Sequence, residues 1–175
     1  MSISRSDSTP GRTVVIGLGN PLMGDDGLGL TALARLRAEW NLPSDVELID
    51  GGTCGMNLLP IIEDAERVLL IDAIEAGAAP GTEIVIARER LPRYLSTKLS
   101  SHQVDLRDVL ALAELRGTLP QETAAVGLQP ACVEMSDKLS DPLCGRINDL
   151  VTRVVGVLES WGHACVRKHA SVEAR

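Results

Sequence analysis

Three short apolar runs, each closed by a glycine or an aspartate, constrain the fold of this chain more than any other feature. They are Thr13-Val14-Val15-Ile16-Gly17, Val46-Glu47-Leu48-Ile49-Asp50 and Arg67-Val68-Leu69-Leu70-Ile71-Asp72. Runs this short, rich in leucine and β-branched residues, read as buried parallel strands. Apolar residues at helical spacing fill the gaps: Leu30, Leu33, Leu36 and Trp40, then Met56, Leu58, Leu59 and Ile62. A β-α-β-α-β alternation with right-handed crossovers closes into an open α/β sheet.

A fourth run, Thr82-Glu83-Ile84-Val85-Ile86, follows Asp72 across Ala79-Pro80-Gly81 with too little chain for a helical crossover, which predicts an antiparallel strand. A polar stretch ending in Ser100-Ser101-His102 leads to a helix through Leu106, Val109, Leu110 and Ala113, and a fifth strand is expected over 123–128. The last helix carries Ile147, Leu150, Val151, Val154, Val155 and Leu158 on one face, with Asp141 expected at its N-cap and Pro142 in its first turn. Residues 1–12 and 162–175 are polar and are expected to be flexible tails around a single domain at 13–161.

A chain of 175 residues folds without covalent staples, and its core, with no Phe, one Tyr and two Trp, must be built from Leu, Ile, Val and Ala. The 17 Lys and Arg are scattered and the net charge is −7, which argues against a phosphate-backbone or anionic-lipid partner. Cys54, Cys132, Cys144 and Cys165 lack metal-type spacing and read as small buried hydrophobes in a reducing compartment. The N-terminus has no apolar core of a signal peptide, and no apolar run approaches the ~20 residues of a membrane span, so a cytoplasmic protein is expected.

Ligands of an open parallel sheet bind beyond the carboxyl ends of its strands, here 17–26, 50–53 and Asp72. The loop Gly17-Leu18-Gly19-Asn20-Pro21-Leu22-Met23-Gly24-Asp25-Asp26-Gly27-Leu28-Gly29 has the glycines of a dinucleotide loop, but Asp25 and Asp26 would stand where the pyrophosphate must sit. Two acids there favour a cation or a cationic substrate, and one of the pair is expected simply to cap the helix. Asp72 closes an apolar strand, where a carboxylate has to be hydrogen-bonded, paired or metal-bound. His102 is the one histidine before the C-terminal segment, and a lone histidine is by default more often structural than catalytic. Asp26, Asp72 and His102 together form a donor set suited to a divalent first-row metal, whereas His163, Cys165 and His169, in the expected tail, make a poor one.

In order and spacing, the glycine loop with Asp25-Asp26-Gly27-Leu28-Gly29, then Asp50-Gly51-Gly52-Thr53, Leu70-Ile71-Asp72-Ala73-Ile74, Pro80-Gly81-Thr82, Lys98-Leu99-Ser100-Ser101-His102-Gln103 and Val126-Gly127-Leu128-Gln129-Pro130 resemble the hydrogenase maturation protease family. The stretch Gly117-Thr118-Leu119-Pro120 looks like the uptake-hydrogenase branch, and residues 132–138 depart from the usual pattern. The resemblance implies a three-layer α/β/α sandwich around a five-stranded, mostly parallel mixed sheet, phosphorylase/hydrolase-like. It implies an aspartic-type endopeptidase that cuts a C-terminal extension from the nickel-loaded large-subunit precursor of a [NiFe]-hydrogenase. It also implies that Asp26, Asp72 and His102 are both the catalytic and the metal-recognising residues. The nickel would come with the substrate, leaving the resting site empty or holding another divalent metal.

Two rivals stand beside this reading. Peptidyl-tRNA hydrolase shares the Gly-Leu-Gly-Asn-Pro turn, but that family expects a histidine soon after the turn and a basic surface, and this chain has neither. A nickel-sensing chaperone that binds the precursor tail without cutting it would use the same side chains.

Overall fold

The computed structural model describes residues 11–91 and 106–168. In chain order the elements are β1 (Thr13–Leu18), α1 (Leu28–Glu39), β2 (Trp40–Asn41), β3 (Val46–Gly52), α2 (Leu59–Glu63), β4 (Arg67–Ala73), β5 (Glu83–Ala87), α3 (Leu106–Leu115), β6 (Glu122–Leu128), α4 (Asp141–Cys144), α5 (Ile147–Ser160) and β7 (Val166–Arg167). Short 3-10 turns at Gly24–Gly27 and Gly55–Leu58 lead into α1 and α2.

The main sheet has five strands in the order β3-β1-β4-β6-β5. The first four are parallel, and β5 runs antiparallel to β6, as the short connection after Asp72 requires. Side chains alternate between its faces. Val14, Ile16, Val68 and Leu70 pack with Leu59 and Ile62 of α2 and with Val109 and Ala113 of α3. Val15, Leu69, Ile71, Val126 and Leu128 pack with Leu28, Ala32 and Leu36 of α1 and with Leu150, Val154 and Leu158 of α5. The result is a three-layer α/β/α sandwich whose central strands are apolar on both faces. Full burial of each such leucine or valine is worth about 1.5–3 kcal/mol, so aliphatic residues alone supply the core.

Four expectations need correction. Ser140, not Asp141, is the N-cap residue, and the last helical stretch is interrupted after Cys144, with Gly145 and Arg146 standing between α4 and α5. The C-terminal segment is not a frayed tail as far as Lys168. His163 is 6% exposed, its Nε2 lies 2.9 Å from the Thr13 hydroxyl and its Nδ1 lies 3.3 Å from Asp45. β7 then pairs antiparallel with β2, and its polar composition reflects an exposed two-stranded ribbon rather than disorder. Arg12 likewise belongs to the fold: its carbonyl accepts the Glu66 N–H at 2.8 Å and its guanidinium pairs with Glu47 at 2.7 Å. Finally, Cys54, Cys132 and Cys144 are exposed and Cys165 half-buried, all as free thiols, so none is a fully buried hydrophobe. No helix of the described residues is long and apolar enough to cross a membrane.

Candidate active site

After β1 the chain turns to one side of the sheet to form β3, and it later returns to form β4 on β1's other side. The carboxyl ends of β1 and β4 therefore flank the point where strand order reverses, the place where open α/β sheets bind their ligands. Two glycines bring the first loop down onto this point. A Cβ on Gly29, at the start of α1, would overlap the carbonyl oxygens of Ile71 in β4 and Leu18 in β1, so only glycine lets the helix start abut both strands. Gly19 adopts φ +107, and a Cβ there would overlap the carbonyl of Asp26. The 3-10 turn carrying Asp25 and Asp26 thus packs against β4.

Asp26 is half-buried, and its Oδ2 accepts the backbone N–H of Asn20 at 2.7 Å. Its Oδ1 takes no hydrogen bond or ion pair from the described residues. The carboxylate is held by one oxygen and presents the other, which suits a group that must meet a ligand. Asp72, 7% exposed, lies in β4 at the register position of Gly127 in β6. Asp26 therefore sits on the turn that follows β1, and that turn packs against β4, the strand that carries Asp72 near its end. His102 lies outside the described residues, and among those residues no group of three or more His, Cys, Asp or Glu is placed to hold a metal. Asp50 is exposed on the edge strand β3, one strand further from Asp72, and borders the site.

Neither aspartate accepts a capping N–H from the first turn of α1. Asp25 instead is 0% exposed and accepts bonds from the N–H groups of Ala131 (2.8 Å), Cys132 (3.0 Å) and Ser140 (2.7 Å) and from the Ser140 hydroxyl (2.8 Å). Burial alone would raise its pKa, but these bonds outweigh it and hold the carboxyl below the ordinary aspartate value. Asp25 thereby fastens the loop after β6 to the turn that carries Asp26, and Ser140 spends its hydroxyl on Asp25 instead of capping α4.

Gln129 performs a parallel task for the loop after β4. Its Oε1 accepts the N–H groups of Ala76 (2.8 Å) and Ala78 (3.1 Å), and its Nε2 donates to Glu75 at 2.8 Å. The bond from Gln129, seconded by the Gly77 N–H, keeps the Glu75 carboxyl below its usual range. Gln129 belongs to the motif Val126 to Pro130, and the signal that singles out Asp72, a polar residue closing an apolar strand, is equally present after Leu128.

Residues 30–157 match the family model for hydrogenase maturation proteases. The chain belongs to the hydrogenase maturation protease family. It is similar to the hydrogenase expression/formation protein HupD of Rhodobacter capsulatus, with 36% identity over 157 residues, 87% of this chain and 74% of that protein. The hydrogenase 2 maturation protease of Escherichia coli K12 is 31% identical over 160 residues, covering 91% of this chain and 98% of its own. The solved structure of the hydrogenase maturating endopeptidase HybD from E. coli matches with a TM-score of 0.85 at 31% identity, over 90% of this chain and 98% of that one. As a maturation protease, the chain is a peptide hydrolase, and its five-stranded mixed sheet is the fold of that endopeptidase.

Proposed function

We propose that this maturation protease removes the C-terminal extension of a nickel-loaded [NiFe]-hydrogenase large-subunit precursor, in the uptake-hydrogenase branch that the stretch 117–120 resembles. The observation that carries this reading is Asp26, fixed through one oxygen to Asn20 with its other oxygen taking no bond from the described residues, on a turn that packs against β4, the strand that holds Asp72. Two carboxylates, joined by the imidazole of His102, are donors that suit a divalent first-row ion. In this reading nickel is part of the substrate and supplies Lewis acidity at the scissile carbonyl. The protein's own share is to orient the bound segment through Asp26, Asp72 and His102 and to take a proton from the attacking water on a carboxylate. The free thiols at Cys54, Cys132 and Cys144 suit a reducing compartment, and we place the enzyme in the cytoplasm.

The test is the intact mass of a cognate large-subunit precursor, with and without nickel, after incubation with the protein or with its Asp26→Asn and His102→Ala variants. Nickel-dependent loss of a C-terminal peptide, abolished by either variant, is the expected result. Stable binding with no change in mass would overturn it in favour of a chaperone that senses nickel without cutting.

A further inference from the structure

The loop after β6 shows an arrangement that the chemistry at Asp26 does not require. Residues 131–138 all have exposed side chains, yet their backbone is tied down from below by Asp25. The same loop is stitched to the Asp26-bearing loop by a second set of bonds. The Ser136 N–H donates to the Leu22 carbonyl at 3.0 Å, the Gly24 N–H to the Ser136 carbonyl at 2.8 Å and the Asp25 N–H to the Cys132 carbonyl at 3.2 Å. Met23 and Ser136 form a parallel bridge, which sets Leu22 alongside Met135. Leu22 is 64% exposed, Met135 89% and Val133 50%.

We infer that Leu22, Val133 and Met135 form a docking lip for an apolar segment of the protein substrate, adjoining the scissile region and flanked by basic residues. The inference rests on the endopeptidase reading and names the surface by which its substrate is held. Its occupant follows from continuity. The Leu22 N–H donates to Asn20 Oδ1 at 3.0 Å, and the Asn20 N–H holds Asp26 at 2.7 Å, so Leu22 and the Asp26 carboxylate are both fixed to Asn20 and belong to one continuous loop. The basic flank follows from charge: the exposed acids Glu134 and Asp137 lie either side of Met135, on a protein whose net charge is −7. Three exposed apolar residues on two loops bonded to each other offer a binding surface, and a backbone already fixed by hydrogen bonds has little ordering left to lose when a partner arrives.

The experiment compares the wild-type protein with the Leu22→Ser/Met135→Ser double variant and with Met135→Leu, using a nickel-loaded cognate large-subunit precursor as substrate. Both substituted positions are exposed, so thermal unfolding of the variants should match wild type and confirm the fold. The expected result is a KM raised at least about tenfold in the double variant with kcat within about twofold, and a wild-type KM in Met135→Leu. An unchanged KM in the double variant, with the wild type cutting normally, would overturn the docking lip while leaving the endopeptidase reading intact. A change in the variant's sedimentation mass without a change in KM would likewise overturn it, assigning the patch to a second copy of this chain. Failure of the wild type to cut would instead overturn the proposed function, and with it this occupant.

Discussion

Ser140 gives both its backbone N–H, at 2.7 Å, and its hydroxyl, at 2.8 Å, to the carboxylate of Asp25, 115 positions earlier in the chain. Two loops that leave different strands thereby become one rigid rim around Asp26. Because Oδ1 and Oδ2 both face donors, an amide in place of the carboxylate would set an NH2 against an N–H. Asp25→Asn should therefore cost about 2–3 kcal/mol of stability, as expected when buried donors lose their acceptor. Urea unfolding at neutral pH would measure it, and a loss below about 0.5 kcal/mol would contradict the clamp.

The same carboxylate predicts an acid limb. Asp25 is held below its unfolded value of about 3.9, so its contribution is complete above that pH and drains away as the pH falls through the lower, folded value. The wild type should lose stability across that window, and Asp25→Asn, having no proton to gain, should show a shallower fall. Parallel slopes for the two proteins in unfolding measured from neutral pH down to acid would sink the assignment.

The sheet was legible because its strands announce themselves: Val14 to Ile16 and Val68 to Ile71 are apolar without interruption, which only strands buried on both faces require. The antiparallel β5 followed from chain length alone. Of the site, Asp26 and Asp72 could be read as carboxylates at strand ends, but the division of labour between Asp25 and Asp26 could not. The two are identical in type and adjacent, and what separates them is a loop more than 100 residues away that supplies the donors to Asp25. His163 is illegible in the sequence for a related reason. A polar segment looks like a tail unless its partners are known, and Thr13 and Asp45 are 150 and 118 positions distant, counting from His163.

His163 therefore yields a further prediction. It bridges Thr13, at the amino end of β1, to Asp45, on the side of the sheet away from Asp26. His163→Ala should lower stability by about 1–3 kcal/mol through the orphaned partners and leave kcat for precursor cleavage unchanged. Chemical denaturation paired with a cleavage assay separates the two effects. A fall in kcat with full stability would show that this end of the sheet communicates with the site.

Gly29 offers the sharpest steric test. Its Cα stands so near β1 and β4 that a methyl group would overlap backbone oxygens of Leu18 and Ile71, neither of which can swing aside as a side chain could. Gly29→Ala must lift the start of α1 from the sheet, at about 3 kcal/mol or more, and carry the 3-10 turn of Asp26 away from Asp72. The variant should thus lose cleavage even under conditions where it stays folded. Gly156→Ala, in the middle of α5 with open space at its Cβ, should by contrast stabilise the protein by about 0.5–1 kcal/mol, since alanine is the better helix former. Thermal unfolding of the two variants side by side, with precursor cleavage measured well below both transitions, tests the close approach directly: equal stability and equal activity would mean that the helix start does not need to touch the strands for Asp26 to work.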